Sequence, residues 1–345
     1  MNTSRGRIWT GVIRVGPYDR DHTVAIRAAI SVGVPLLILW SIGRLDLSIY
    51  ASFGAFAALY GRTDPIGDRI RMQLAAGAVM VASMLIGTAV SVAHLPSVWA
   101  VVVVAAVASA VTLLAYAAQW HPPGGLFSVF AAGATASIPA DASRLGSVLG
   151  VGLAAVVFSL IVTFVYESVT ARALPRLSRS KNRIPVGAVA AEMAITVAAA
   201  TILAGIAGLL LLDSHWYWAM VGAVAAVSGP HVKARVIRGL QRLVGTVLGV
   251  LVAAAVLALG VPPLAVILIA VALQVGAELF VGRNYAIAMI FITPLALLMV
   301  QLAAPTTVAV LLTDRLWETL LGIVAGTVVA VVSAILRRGG PSPSS

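Results

Sequence analysis

Apolar stretches of about twenty residues recur along this chain almost from end to end, and a membrane is the setting that accommodates such runs. A transmembrane helix needs roughly 20 predominantly apolar residues to cross about 30 Å of hydrocarbon. Hydrophobic residues make up 61% of the 345 and charged ones only 10%, which excludes a soluble protein of two or three domains. Six spans can be placed in the first half, at about 24–43, 45–60, 70–93, 98–118, 125–140 and 144–166. Six more follow at about 186–212, 215–230, 236–259, 263–282, 285–303 and 315–336. The expected fold class is an all-α integral membrane protein of about twelve transmembrane helices. The 45–60 and 125–140 segments are short, and the second follows His121-Pro122-Pro123-Gly124-Gly125, a helix-breaking run. Such segments read as tilted, re-entrant or broken helices, which need protein or a water-filled cavity around their backbone.

The same layout occurs twice, 168 residues apart. Reading Leu47 to Gly77 against His215 to Gly245 without a gap pairs Tyr50 with Trp218, Gly54 with Gly222, Gly61 with Gly229, Gln73 with Gln241 and Gly77 with Gly245. Further on, Pro96 falls opposite Pro263, and Arg144-Leu145 opposite Arg315-Leu316 after a slip of a few positions. Six spans per repeat make the two halves parallel about an axis along the membrane normal, and the interface between such repeats is a usual place for a transport pathway. Gly54 and Gly222 are expected at equivalent, tightly packed positions. Gly245-x-x-x-Gly249, Gly322-x-x-x-Gly326 and Gly150-x-x-x-Ala154 put small residues on one helix face, where helices approach closely.

The charges test the topology independently. With the amino terminus inside, twenty of the 23 Lys and Arg residues fall on cytoplasmic segments, and only Arg44, Arg144 and Arg315 fall outside. This is the positive-inside pattern. It accounts for the net charge of +11 through topology and contact with anionic lipid, and makes nucleic acid a poor partner. The expected organisation is a cytoplasmic tail at 1–23, a first six-helix repeat at 24–166, a basic cytoplasmic linker at 167–185, a second repeat at 186–336 and a cytoplasmic tail at 337–345. The polar, Arg-bearing start reads as a retained tail and not as a signal peptide. With no Cys there is no disulfide, thiolate metal site or Cys nucleophile. Trp40, Trp99, Trp216 and Trp317 lie near expected outer ends and Trp120 near an inner end, as an aromatic belt requires.

Charged groups inside a membrane are rare and usually face a protein interior or an aqueous cavity. Glu192 lies about two turns into its span, with Arg27 near the matching position of the first half, so the two could pair across the axis. The plainer reading is that Arg27 snorkels and Glu192 is a structural partner. Gln274 and Glu278 share a helix face. Glu278 is either a proton-exchanging carboxylate or a fixed ion pair with Arg283 that orients Asn284-Tyr285. Glu192 and Glu278 are thus the candidates for proton coupling. Arg144 and Arg315, in outer loops otherwise poor in positive charge, suit an anion site near the exit, or else an interfacial ion pair. Arg69, Arg71, Lys233, Arg235 and Arg238 form an expected basic mouth on the cytoplasmic side. No phosphate loop, H-E-x-x-H or G-x-S-x-G motif occurs, so no enzyme, metal or cofactor is expected.

One stretch runs from Gly229-Pro230-His231 through Arg235 to Gln241-Arg242-Leu243-Val244-Gly245-Thr246 and Gly249. Another runs from Glu278 through Arg283-Asn284-Tyr285-Ala286 to Thr293-Pro294-Leu295-Ala296-Leu297-Leu298. Together they resemble the fusaric acid resistance (FUSC-like) and aromatic acid exporter family. The likeness is strongest over about 215–300 and weaker, through the repeat, over about 27–93. The wider relatives resemble plant aluminium-activated malate transporters, in which two six-helix units form an anion pathway. This resemblance implies a transporter that exports organic anions, of the aromatic carboxylic acid class, from a bacterial inner membrane. Arg27, Arg144, Arg315, Asn284 and Tyr285 are the pathway residues expected, with lipid as a partner and a homo-oligomer as a further option. A passive anion channel and a non-transporting envelope-assembly protein are the rival readings. Under the twelve-span topology, a reporter fused after Arg338 is expected on the cytoplasmic side, and its appearance outside would overturn the map.

Overall fold

The computed structural model describes residues 13–18, 21–62, 64–170, 186–212, 215–228 and 232–339. Residues 1–12, most of the 167–185 linker, the Gly229-Pro230-His231 run, the end of the tail and the side chain of Lys233 lie outside them. Among the described residues twelve α-helices follow in order: α1 (Asp21–Ser41), α2 (Ser48–Ala55), α3 (Ile66–Val92), α4 (Ser97–Ala117), α5 (Leu126–Ser137), α6 (Ser143–Thr170), α7 (Val186–Leu211), α8 (Tyr217–Val227), α9 (Val232–Ala258), α10 (Pro263–Phe280), α11 (Tyr285–Ala303) and α12 (Val308–Gly339). Among the described residues, nine helices are long and apolar enough to cross a membrane, which makes this a multi-pass membrane protein. The other three, α2 with its flanking 3-10 turns (Leu45–Leu59), α5 and α8, are shorter. Shortness was expected for 45–60 and 125–140; the structure adds 215–230, which holds only the 11 residues of α8.

Burial explains how short helices persist. Every residue of α2 and of α8 is buried, so other helices cover their ends and no lipid reaches the backbone groups there. α2 packs against α6 and α8 against α12. Around them, α3 packs on α5 and α6, while α9 packs on α11 and α12; α1 lies on α2 and α6, while α7 lies on α8 and α12. Contacts between the halves come in matching sets too: α4 on α7 and α10 on α1, α5 on α8 and α11 on α2. α4 and α10 therefore pack on the first helix of the opposite half.

Small residues set the closest approaches. A Cβ added at Gly322 would lie 2.3 Å from the Ala219 carbonyl oxygen, and one at Gly245 would lie 2.2 Å from that of Ala286. These seams match the expected Gly322/Gly326 and Gly245/Gly249 faces. At Gly54 the added Cβ would lie 2.6 Å from the Gly152 carbonyl oxygen, and at Gly222 3.2 Å from Gly322 Cα, so these two glycines face α6 and α12 respectively. The Gly150/Ala154 face is a correction: both residues are exposed on the bundle surface, and nothing lies within 4 Å of a Cβ at Gly150. The packed face of α6 is instead Gly152, Ala155 and Val156, set by the helix phase that buries Val148 and Ser159. Trp216 and Trp120 are also corrections to the aromatic belt, since both are buried, Trp120 against Tyr60; Trp40, Trp99 and Trp317 are exposed.

Boundaries moved in both directions, the short helices ending early and several long ones gaining polar residues. Helices extend beyond the apolar core into polar sequence: α3 takes in Arg69 and Arg71, α6 takes in Glu167, and α9 begins before Lys233 and Arg235. α12 begins at Val308 and not at 315, which carries Arg315 about 10 Å into the helix at 1.5 Å per residue. Hydropathy alone locates the lipid-facing part of a helix and says little about ends that other helices cover.

Leu at Gly322 or Gly245 must displace backbone, so either change is expected to cost about 1–3 kcal/mol or more, against little for Gly150→Leu. Thermal unfolding of the detergent-purified protein checks this; equal midpoints for all three variants would contradict the packing described.

Candidate functional site

A cavity of about 850 Å³ lies between the halves, lined from the first by α2, the 121–124 loop and α5, and from the second by α9, α10, α11 and Arg315 of α12. Its α11 wall runs from Tyr285 to Val300, about 22 Å at 1.5 Å per residue. That is most of the roughly 30 Å thickness of a bilayer core.

One wall is aromatic. Phe53 and Phe56 lie one turn apart on α2 and its 3-10 extension, and Phe127 and Phe130 on α5. Phe53 meets Phe130 edge-on at 5.0 Å between centroids, Phe56 meets Phe127 at 5.4 Å, and Tyr60 continues the row to Phe127 at 6.2 Å. The result is a flat-sided apolar surface with ring edges and faces presented at mixed angles.

The facing wall is cationic. Arg238 and Arg242 are one turn apart on α9, so both project toward the same face. Tyr285, the first residue of α11, holds both: its hydroxyl accepts from Arg242 Nη1 at 3.0 Å, and its ring lies 4.1 Å below the Arg238 guanidinium. Arg315 is 2% exposed and lies 4.8 Å over the Trp218 ring. Arg242 Nε and Arg315 Nε and Nη1 are buried without hydrogen-bond partners. Arg238, Arg242 and Arg315 all line the cavity, and guanidinium groups beside it favour an anion with a planar acceptor group.

The mouth is built from ion pairs that join the halves. Arg62, just past α2, donates to Glu278 Oε2 at 3.0 Å, to the Glu278 carbonyl at 3.1 Å and to Asp21 Oδ1 at 3.3 Å. Gln274 donates to the other Glu278 oxygen at 3.2 Å. Glu278 is thus paired across the halves with Arg62. Arg283, its expected partner, instead donates to the Gly16 carbonyl at 3.2 Å and lies over Tyr18 and Phe280. The partner differs from the expected one because Arg283 lies in a turn that points back to the amino-terminal segment. Asn284 caps α11, accepting from Ile287 N at 3.0 Å, and donates to the Arg14 carbonyl at 3.1 Å, while Tyr285 beside it lines the cavity.

Other expected residues fall elsewhere. Arg27 pairs with Glu167 of its own half at 3.4 Å, not across an axis, and Arg69 joins the same carboxylate. Arg69 also donates to the carbonyls of Gly61 and Asp64 at 2.9 and 2.7 Å, so this group braces the turn that carries Arg62. Gly61 takes a φ of +69° there, with Arg69 filling the space a side chain would need. Glu192 lies in a separate groove with Val329 and Ser333. Arg144 and Arg315 do not form a pair: Arg144 Nη1 binds Asp46 Oδ2 at 2.6 Å, and Arg44 binds the same carboxylate at 3.0 Å. Beside them, bonds from the Ser143 hydroxyl and amide hold the Asp141 carboxyl below the usual range. Of the expected basic mouth, Arg238 is the one that lines the cavity among the described residues; Arg71 is exposed, and Arg235 is buried against Met193. The sequence reading missed Arg62, Arg242 and the phenylalanines; the four-residue spacing of Arg238 and Arg242 was the available signal.

Residues 189–329 match the family described as Fusaric acid resistance protein-like. The match runs from within α7 to within α12 and includes the whole cationic wall. No curated protein and no solved structure matches the chain.

Replacing Arg62 by Ala leaves Glu278 buried with only the Gln274 amide, and is expected to cost about 1–3 kcal/mol of stability. Arg62→Lys should recover part of it. A melting midpoint unchanged in both variants would show that the bridge holds nothing together.

Proposed function

We propose, from the premise that residues 189–329 belong to the fusaric acid resistance protein-like family, that this chain is a membrane transporter for organic anions. The observation that carries the reading is the cavity, lined by a row of phenylalanines and by Arg238, Arg242 and Arg315. An aromatic carboxylate matches both walls, its ring among Phe53, Phe56, Phe127 and Phe130 and its carboxylate at Arg242 and Arg315. The apolar wall would accept other flat acids as well, since ring contacts select by shape and not by substituent. Export from a bacterial cytoplasmic membrane, with both termini inside, is the direction and setting we assign.

The matching packing partners of α1–α6 and α7–α12, with the 168-residue register, support a duplicated six-helix unit whose halves are related about an axis along the membrane normal. Duplication places two similar faces against each other. Divergence between them supplies the chemistry: α2 and α5 contribute the rings, α9 and α12 the cations. Binding then requires both halves, and any relative movement of them changes the site.

Each charged hydrogen bond lost is worth about 1.5–3 kcal/mol, and about 1.4 kcal/mol is a factor of ten. Arg242→Gln/Arg315→Gln, which removes two such bonds, is therefore expected to weaken benzoate binding by about a hundredfold or more and to lower flux in proteoliposomes accordingly. Arg144→Gln, on the outer face with Asp46, should change flux little. Wild-type binding and flux in the double variant would sink the cavity as the anion site.

A further inference from the structure

Residues 14–18 lie outside the helices, yet two of them, Arg14 and Gly16, line the cavity. They reach the second half at the turn between α10 and α11. The Gly16 amide donates to the Arg283 carbonyl at 2.8 Å, and Arg283 Nε donates back to the Gly16 carbonyl at 3.2 Å. The Asn284 side-chain amide donates to the Arg14 carbonyl at 3.1 Å. The approach is close, since a Cβ built on Gly16 would lie 3.4 Å from Arg283 Cα. Tyr18 stacks on His22 of α1 and lies under the Arg283 guanidinium. The segment is thus tied to the first half through α1 and to the second through the 283–284 turn.

What this segment lacks is burial. Arg14, Val15, Pro17 and Tyr18 are all exposed. Hydrogen bonds to backbone carbonyls and one ring contact hold it, without packed apolar side chains, and segments held in this way open at low cost in free energy. The neighbouring Arg62–Glu278 bridge differs in kind, being charge-assisted with a buried carboxylate. A segment that only braced the bundle would gain by burying side chains. This one lays its backbone along the rim of a cavity, a rim that also carries Arg62, His121 and Gly282. α1 begins at this end, which a topology with the amino terminus inside assigns to the cytoplasm. An exported anion loads from that side.

We propose that residues 14–18 form a strap across the cytoplasmic mouth of the cavity, which leaves the 283–284 turn before an anion loads. The direction of loading rests on the export reading. The strap governs access, while Arg242 and Arg315 govern affinity. Weakening its hold raises the fraction of time the mouth is open, and fastening it stops loading.

The chain has no Cys, so an introduced one reports alone. Ser52→Cys puts a thiol on the α2 wall of the cavity. Its rate of modification by a membrane-impermeant thiol reagent, added to inside-out vesicles, measures access from the mouth. Gly16→Pro removes the amide bonded to Arg283, and in the Ser52→Cys chain it should speed labelling about two- to tenfold, the worth of one hydrogen bond. In a separate Gly16→Cys/Arg283→Cys chain the two backbones lie within reach of a disulfide. Oxidation should stop benzoate flux in proteoliposomes, and reductant should restore it. That comparison is made within one protein, so it decides the matter even where Gly16→Pro fails to fold. Labelling unchanged by Gly16→Pro, flux unchanged in the cross-linked chain, or a pair that does not cross-link would each overturn the strap and leave the anion reading standing. No benzoate flux in wild type would remove the anion reading, while the labelling rates would still decide the strap.

Discussion

A backbone amide or carbonyl left bare in hydrocarbon costs several kcal/mol, and that constraint organises this bundle. Nine long helices satisfy it by themselves among the described residues. α2, α5 and α8 do not, and the chain deals with them by enclosure. α2 and α8 are buried along their whole length, held by the glycine contacts of Gly54 with α6 and Gly222 with α12. Helices that end at membrane depth leave space beyond their ends, and the cavity occupies space of this kind, lined by α2 and by the loop leading into α5. The short helices and the cavity are two results of one arrangement.

Arginines are the second organising element, since a guanidinium stays charged wherever it is put. The structure disposes of them in two ways. Arg27 and Arg69 share Glu167, Arg44 and Arg144 share Asp46, and Arg62 is held by Asp21 and Glu278. Arg238, Arg242 and Arg315 have rings and a tyrosine hydroxyl about them instead. The paired arginines hold turns and join the halves, while the others give the cavity wall its positive potential. Related positions illustrate the division. Tyr50 lies within the electrostatic reach of Arg144, as Trp218 lies under Arg315, yet one arginine is paired with Asp46 at the bundle surface and the other lines the cavity.

Legibility followed the physics of each feature. The small-residue faces at Gly245 and Gly322 were readable because small residues at four-residue spacing share one helix face and let backbones approach. The face at Gly150 was misread because the same spacing exists on α6 with the wrong phase, and only the buried neighbours decide phase. Glu278 was recognisable as a charged residue in an apolar run, but its partner Arg62 is 216 positions away, beyond any local pattern. The phenylalanines carry no signal at all in sequence, since Phe in an apolar helix faces lipid, core or cavity with equal ease.

The sequence by itself determined that this chain lies in a membrane, where its apolar runs begin and that its layout recurs at 168 residues, because hydrophobic length and periodicity are local properties of the chain. Only the tertiary structure decided which charges are neutralised and which line a cavity. That outcome depends on which helices meet and in what rotation. α12 starting at Val308 moved Arg315 from the expected entrance of the last span to a buried place two turns along the helix, and the packing of α10 against α1 brought Glu278 to Asp21 and Arg62. Contacts between distant segments are not encoded in any one of them, and the candidate site consists almost entirely of such contacts.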